Sequence, residues 1–74
     1  MSAIIRPLGM LKSYLGELKE VNVESDQPVR EVIISLGIPI DLVAGAYVNG
    51  ELETKDYVLQ DGDIVKLFAV IGGG

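Results

Sequence analysis

From Leu18 to Glu24 apolar and polar positions alternate, with Val21 and Val23 on one side and Glu20, Asn22 and Glu24 on the other. A period of two is the mark of a half-buried strand. Ala3 to Leu8 is apolar apart from Arg6 and predicts a first strand, paired with the second through a hairpin-like connection. Pro7 cannot donate to a sheet ladder, which confines it to an edge, a strand end or a bulge. Between the two strands, Met10, Leu11, Tyr14 and Leu15 lie between Gly9 and Gly16, the spacing of one short helical turn between glycine stops.

The period then changes. Val29, Val32, Ile33 and Leu36 follow at i, i+3, i+4 and i+7, one apolar stripe on a helix, with Ile34 off the stripe and partly exposed. Ser25 and Asp26 are capping types, Pro28 is tolerated in the first turn, and Glu31 suits the positive end of the helix dipole. Gly37 fits the position just past the end, and Pro39 forbids continuation. The helix is expected from near Pro28 to near Leu36. Ile40 to Ala44 fits either a strand or a helical turn. Asn49-Gly50 between apolar flanks predicts a tight hairpin, since both central residues of a type I′ turn need positive φ. Glu53 to Gln60 reads as a polar connection that sets Tyr57, Val58 and Leu59 against the core.

Asp61-Gly62-Asp63 is turn chemistry. The run Ile64 to Ile71 holds one charge and is rich in β-branched types, which predicts a closing strand buried on both faces. Gly72-Gly73-Gly74 offers no side chain to pack and has maximal backbone freedom. The expected order is strand, strand, helix, strand, short strand, strand. That order predicts an α+β domain over residues 1–71: a mixed four- to five-stranded sheet, one main helix on one face, and the last strand returning beside the first. Residues 72–74 are expected to form a flexible glycine tail.

Composition narrows the chemistry. Half of the 74 residues are hydrophobic (49%), enough for one core and too many for a disordered chain. The chain has no cysteine and no histidine, which excludes disulfides, thiolate metal sites and every Ser-His-Asp or Cys-His catalytic set. Glu51-Leu52-Glu53 and Asp61-Gly62-Asp63 pair carboxylates, but they read as solvated loop charges and not as a metal site. The net charge of −5, with the cations Arg6, Lys12, Lys19, Arg30, Lys55 and Lys66 scattered along the chain, argues against nucleic acid. An acidic surface suits a protein partner with a basic docking face. The first residues lack the pattern of a signal peptide, and no stretch reaches the roughly 20 apolar residues of a membrane span. A cytoplasmic location is expected, with no membrane contact.

The segment Asp61-Gly62-Asp63-Ile64-Val65, its apolar strand and the closing Gly73-Gly74 resemble the sulfur-carrier family of ubiquitin-like β-grasp proteins. That family includes the small subunit of molybdopterin synthase (MoaD-like) and the thiamine-pathway carrier (ThiS-like). The resemblance covers essentially the whole chain, its specific part being the last fourteen residues. It implies a ubiquitin-like β-grasp fold and a carrier with no catalytic residues of its own. An E1-like adenylating enzyme, using ATP, would convert the Gly74 carboxylate to an acyl-adenylate, and sulfur would then replace AMP to leave a thiocarboxylate. A separate synthase catalytic subunit would receive the tail. Gly73 and Gly72 would give passage through a narrow tunnel where a Cβ would clash. Phe68, Val70 and Ile71 are candidate docking contacts, with a core role for Phe68 as the alternative. No bound cofactor and no metal are expected.

Molybdopterin (or related tungsten cofactor) synthesis is the first reading. A thiamine-pathway carrier, a modifier joined through Gly74 to a target lysine, and an interaction module with an unactivated tail are the others. Members resembling the molybdopterin branch often carry prolines where this chain has Ala69-Val70, a departure that favours the thiamine reading.

Overall fold

The computed structural model describes residues 1–70. It contains five strands, β1 (Ser2–Pro7), β2 (Val21–Glu24), β3 (Val43–Val48), β4 (Glu51–Glu53) and β5 (Ile64–Ala69), and one α-helix, α1 (Val29–Ser35). Gly9–Leu15 and Ile40–Leu42 are 3₁₀ turns. The strands form one sheet in the order β2-β1-β5-β3-β4. The pair β1–β5 is parallel and the pairs β1–β2, β3–β4 and β3–β5 are antiparallel. This is the expected mixed sheet of a ubiquitin-like β-grasp fold, with the last strand at its centre.

Pro7 sits at the end of β1 for a reason visible in the ladder. The Ile4 and Leu8 amides donate on the β5 side, to Asp63 O just before that strand and to Leu67 O within it, both at 2.9 Å. By alternation the position of Pro7 faces the other neighbour, β2, whose pairing has already ended at Ile5↔Val21. The missing N–H therefore has no ladder partner to lose. β2 starts at Val21 and not at Leu18. Gly16 and Glu17 both take left-handed φ, +64° and +66°, so the chain is still turning where the alternation begins.

In α1, Val29, Val32 and Ile33 are buried and Ile34 is 55% exposed, as the stripe predicts. The start of the helix differs from expectation: neither Ser25 nor Asp26 caps it, Pro28 is the cap residue, and no side chain caps it. Backbone carbonyls from the 54–59 loop replace side-chain caps. Val29 N–H donates to Tyr57 O and Arg30 N–H to Lys55 O, both at 2.8 Å, which satisfies the orphan amides of the first turn. The end follows the Schellman pattern, with Gly37 at φ +80° donating to Ile34 O and Ile38 N–H donating to Ile33 O.

Ile40 to Ala44 divides between the two readings: a 3₁₀ turn to Leu42, then β3. Asn49 and Gly50 take φ of +51° and +88°, the positive pair that a type I′ hairpin between β3 and β4 requires. In the loop that follows, Leu59 is buried and Tyr57 packs against the core. Val58 does not; it is 46% exposed, because its backbone bridges Pro28 and turns the side chain outward.

The expectation for β5 needs a larger correction. Its residues alternate between exposed Ile64 and Lys66 and buried Val65 and Leu67, so it is covered on one face only. α1 and the Leu11 and Leu59 side chains cover that face, to which the neighbouring strands add Ala3, Ile5, Val43, Ala46 and Val48. Among the described residues no helix covers the other. Burying each of the large side chains contributes roughly 1.5–3 kcal/mol before entropy is subtracted.

Candidate functional site

The candidate residues lie where β5 leaves the sheet. At its entry, Asp63 is 6% exposed, not the solvated charge expected of the Asp61-Gly62-Asp63 turn. The Asn49 side-chain amide donates to Asp63 Oδ1 at 2.8 Å, and the Tyr57 hydroxyl and Gln60 N–H donate to Oδ2 at 2.9 and 2.8 Å. Burial by itself pushes the Asp63 carboxyl up. The bonds from Gln60, Asn49 and Tyr57 outweigh it and hold the group below the ordinary carboxylate range. The bond to Asp63 in turn raises the Tyr57 phenol, with burial and the Asp63 and Glu53 charges adding to it. Asn49 Oδ1 accepts the Ile64 N–H at 2.9 Å. One carboxylate thus ties the β3–β4 turn, the loop after β4 and the first residue of β5 together. Its neighbour Asp61 instead accepts the Ser2 N–H at 3.0 Å, so the two carboxylates point to different partners. Among the described residues no group of three or more His, Cys, Asp or Glu side chains could hold a metal ion.

At the exit, Ala69 pairs with Val43, and one further bond holds the chain: Val70 N–H donates to Leu42 O at 2.9 Å. Val70 itself is 48% exposed. Phe68 is half-buried on the face that α1 leaves open, so it is not part of the core cluster. Its ring packs against Tyr47 with centroids 5.1 Å apart. It also lies over Gly45, its cross-strand partner, where an added Cβ would meet Phe68 Cζ at 3.1 Å. A glycine inside a strand is a poor choice unless something approaches closely, and here the ring does. Ile71, Gly72, Gly73 and Gly74 lie outside the described residues, as does the expected tail segment 72–74.

Sequence reasoning passed over Asp63, Asn49 and Tyr57 as a set, Gly45, and the Leu42 carbonyl. Asn49-Gly50 and Asp61-Gly62-Asp63 were both visible as turns; that they meet follows from the β3–β5 register. The cations that are scattered along the sequence are also drawn together: Arg6, Lys12, Lys19 and Lys66 line one shallow hollow.

The family model of the ThiS family matches residues 9–74. No curated protein matches the chain. Among solved structures, the Haloferax volcanii protein HVO 2177 is 24% identical, with a TM-score of 0.75 over 100% of this chain and 87% of that one. A Pyrococcus furiosus protein assigned as subunit 1 of a molybdopterin converting factor is 21% identical, with a TM-score of 0.72 over 96% of this chain and 99% of that one. Subunits 1 and 2 of the molybdopterin-converting factor of Helicobacter pylori have been solved as a complex, and the matching chain is 18% identical, with a TM-score of 0.63 over the full length of both. At these identities the structural matches speak for the fold, and the match over residues 9–74 speaks for the family. The chain belongs to the ThiS family of MoaD/ThiS-like, ubiquitin-like sulfur-carrier proteins.

Proposed function

We propose that this carrier works through a thiocarboxylate on Gly74, formed after adenylation of the glycine carboxylate by an E1-like enzyme that uses ATP, with sulfur from a persulfide donor replacing AMP. The observation that carries the reading is the continuity of β5 with the tail. The central strand is locked at its entry by Asp63 and held at its exit by the Val70–Leu42 bond, and after Ile71 the sequence is glycine alone. A rigid root with a side-chain-free extension suits delivery of a carboxylate into another protein's active site. Gly73 and Gly72 give passage, and Phe68, Val70 and Ile71 dock.

The chain itself is a carrier and not an enzyme; a separate synthase subunit performs the transfer, as the paired subunits of the Helicobacter pylori factor suggest. The product of that transfer is a molybdopterin or related tungsten cofactor. One observation favours the thiamine branch as a second reading. The Val70 amide is a hydrogen-bond donor to Leu42 O, and a proline at this position would remove it.

The deciding experiment is the intact mass of the protein purified from its native host, with a Gly74 deletion beside it. A fraction heavier by one sulfur-for-oxygen exchange, absent from the deletion, supports the carrier reading. Isopeptide-linked adducts on other proteins would replace it with a modifier role. An unmodified terminus and a fully functional deletion would leave an interaction module. Loss of molybdoenzyme activity or thiamine auxotrophy in the deletion strain separates the two pathways.

A further inference from the structure

Four of the six basic residues, Arg6, Lys12, Lys19 and Lys66, come from β1, the Gly9–Leu15 turn, the loop before β2, and β5, yet they border one hollow at the open face of the sheet. Among the described residues one carboxylate shares it. Glu20 accepts from Arg6 Nε at 3.0 Å, with both side chains nearly half exposed. The adjoining hollow, floored by Leu8, Ile64 and Tyr47, holds Arg6 and Lys66 and no acidic residue. In a chain of net charge −5 this is a concentration of cations against the general trend.

The register sharpens the point. Arg6 and Lys66 are directly paired positions of neighbouring strands, β1 and β5, and so lie side by side on the same face. Like charges placed opposite one another in a sheet are destabilising. Among the described residues Glu20 offsets Arg6 alone; an external anion beside Lys66 would relieve the rest.

We propose that this face is the docking surface for a protein partner that presents carboxylates around an apolar contact. The inference rests on the carrier reading only in that a carrier must meet protein partners; it adds the chemistry of the partner's surface. It also reverses the expectation drawn from net charge, that the partner is basic. The apolar floor and the chain's overall acidity select a protein over nucleic acid. A phosphate backbone is charged along its whole length and would be repelled once it ran past the patch, whereas an acidic patch on a protein can be as small as the basic one.

The test is an NMR titration of the ¹⁵N-labelled full chain with a short peptide of glutamates around one leucine, and separately with a single-stranded oligonucleotide of equal charge. The expected result is saturable movement of the Arg6, Lys12, Lys66 and Tyr47 amides with the peptide, weakened by raising salt to about 0.15 M. Lys12→Glu with Lys19→Glu should weaken binding roughly tenfold, whereas Glu31→Lys, on α1, should leave it unchanged. Lys66→Glu is the sharper variant, since it places a carboxylate beside Arg6. It should raise the unfolding midpoint while reducing binding, a pair of effects that a purely structural lysine does not produce. No movement of these amides, equal loss with Glu31→Lys, or tighter binding of the oligonucleotide would overturn the proposal. Absence of a Gly74 thiocarboxylate with the peptide response intact would instead remove the carrier reading and leave this surface standing.

Discussion

Taking away the Asp63 carboxylate leaves three donors, from Asn49, Tyr57 and Gln60, without their acceptor. Asp63→Ala should destabilise the fold by about 2–3 kcal/mol, measured by urea denaturation, because hydrogen bonds to a buried charged group contribute more than neutral ones. The pH dependence follows from the direction of the shift. The folded Asp63 carboxyl titrates below the unfolded one, so its contribution is fully present above the unfolded value of about 3.9 and is lost as pH falls through the lower, folded value. Denaturation midpoints recorded across the acid range should therefore fall for the native chain and fall less steeply for Asp63→Asn. A different constraint governs Gly45. A methyl group there meets the Phe68 ring at 3.1 Å, and Gly45→Ala should cost about 1 kcal/mol with loss of the Tyr47–Phe68 stacking visible in aromatic NMR shifts. Gly45 did not stand out in the sequence, and Asp63 and Asn49 did so only as members of separate turns. Asp63 looked like an ordinary turn aspartate, since its three partners become its neighbours only after the β3–β5 register forms.

At the level of elements, periodicity was most reliable where an element is covered on one side. The α1 stripe gave the buried Val29, Val32 and Ile33 and the exposed Ile34. Ile33→Ala should accordingly cost about 2–5 kcal/mol and Ile34→Ala less than about 0.5 kcal/mol, a contrast that thermal unfolding of the two variants checks directly. The same logic misread β5. An apolar run with a single charge suggested cover on both faces, but α1, the one α-helix among the described residues, lies on one of them, and Ile64 and Phe68 are left on the other. The alternation of Val65 and Leu67 with Lys66 carried the right answer. Helix ends were legible where glycine acts, at Gly37, and illegible where distant carbonyls act, at Tyr57 O and Lys55 O. At the exit of β5, Val70→Pro removes one backbone donor and should cost about 0.5–1.5 kcal/mol. In the native chain, the Val70 amide should be protected in hydrogen exchange.

For the whole molecule, the two-layer arrangement could be read from the order of elements, and the family from its C-terminal motif. Which cations share a surface could not, because that depends on which strands become neighbours. The strand order itself has a consequence for how the protein comes into being. β5 is the middle of the sheet and, among the described strands, the last in chain order, and β1, the first, pairs with it from Ile4 to Pro7. A nascent chain that has not reached Ala69 therefore has two separate strand pairs and nothing to join them. The helix has no floor to lie on and Val65 and Leu67 are missing from the core. The sheet cannot close gradually as the ribosome advances; it closes once, after translation of β5. A chain released before β5 is complete has no folded surface for a partner to recognise, so folding acts as its own check that synthesis has passed this strand.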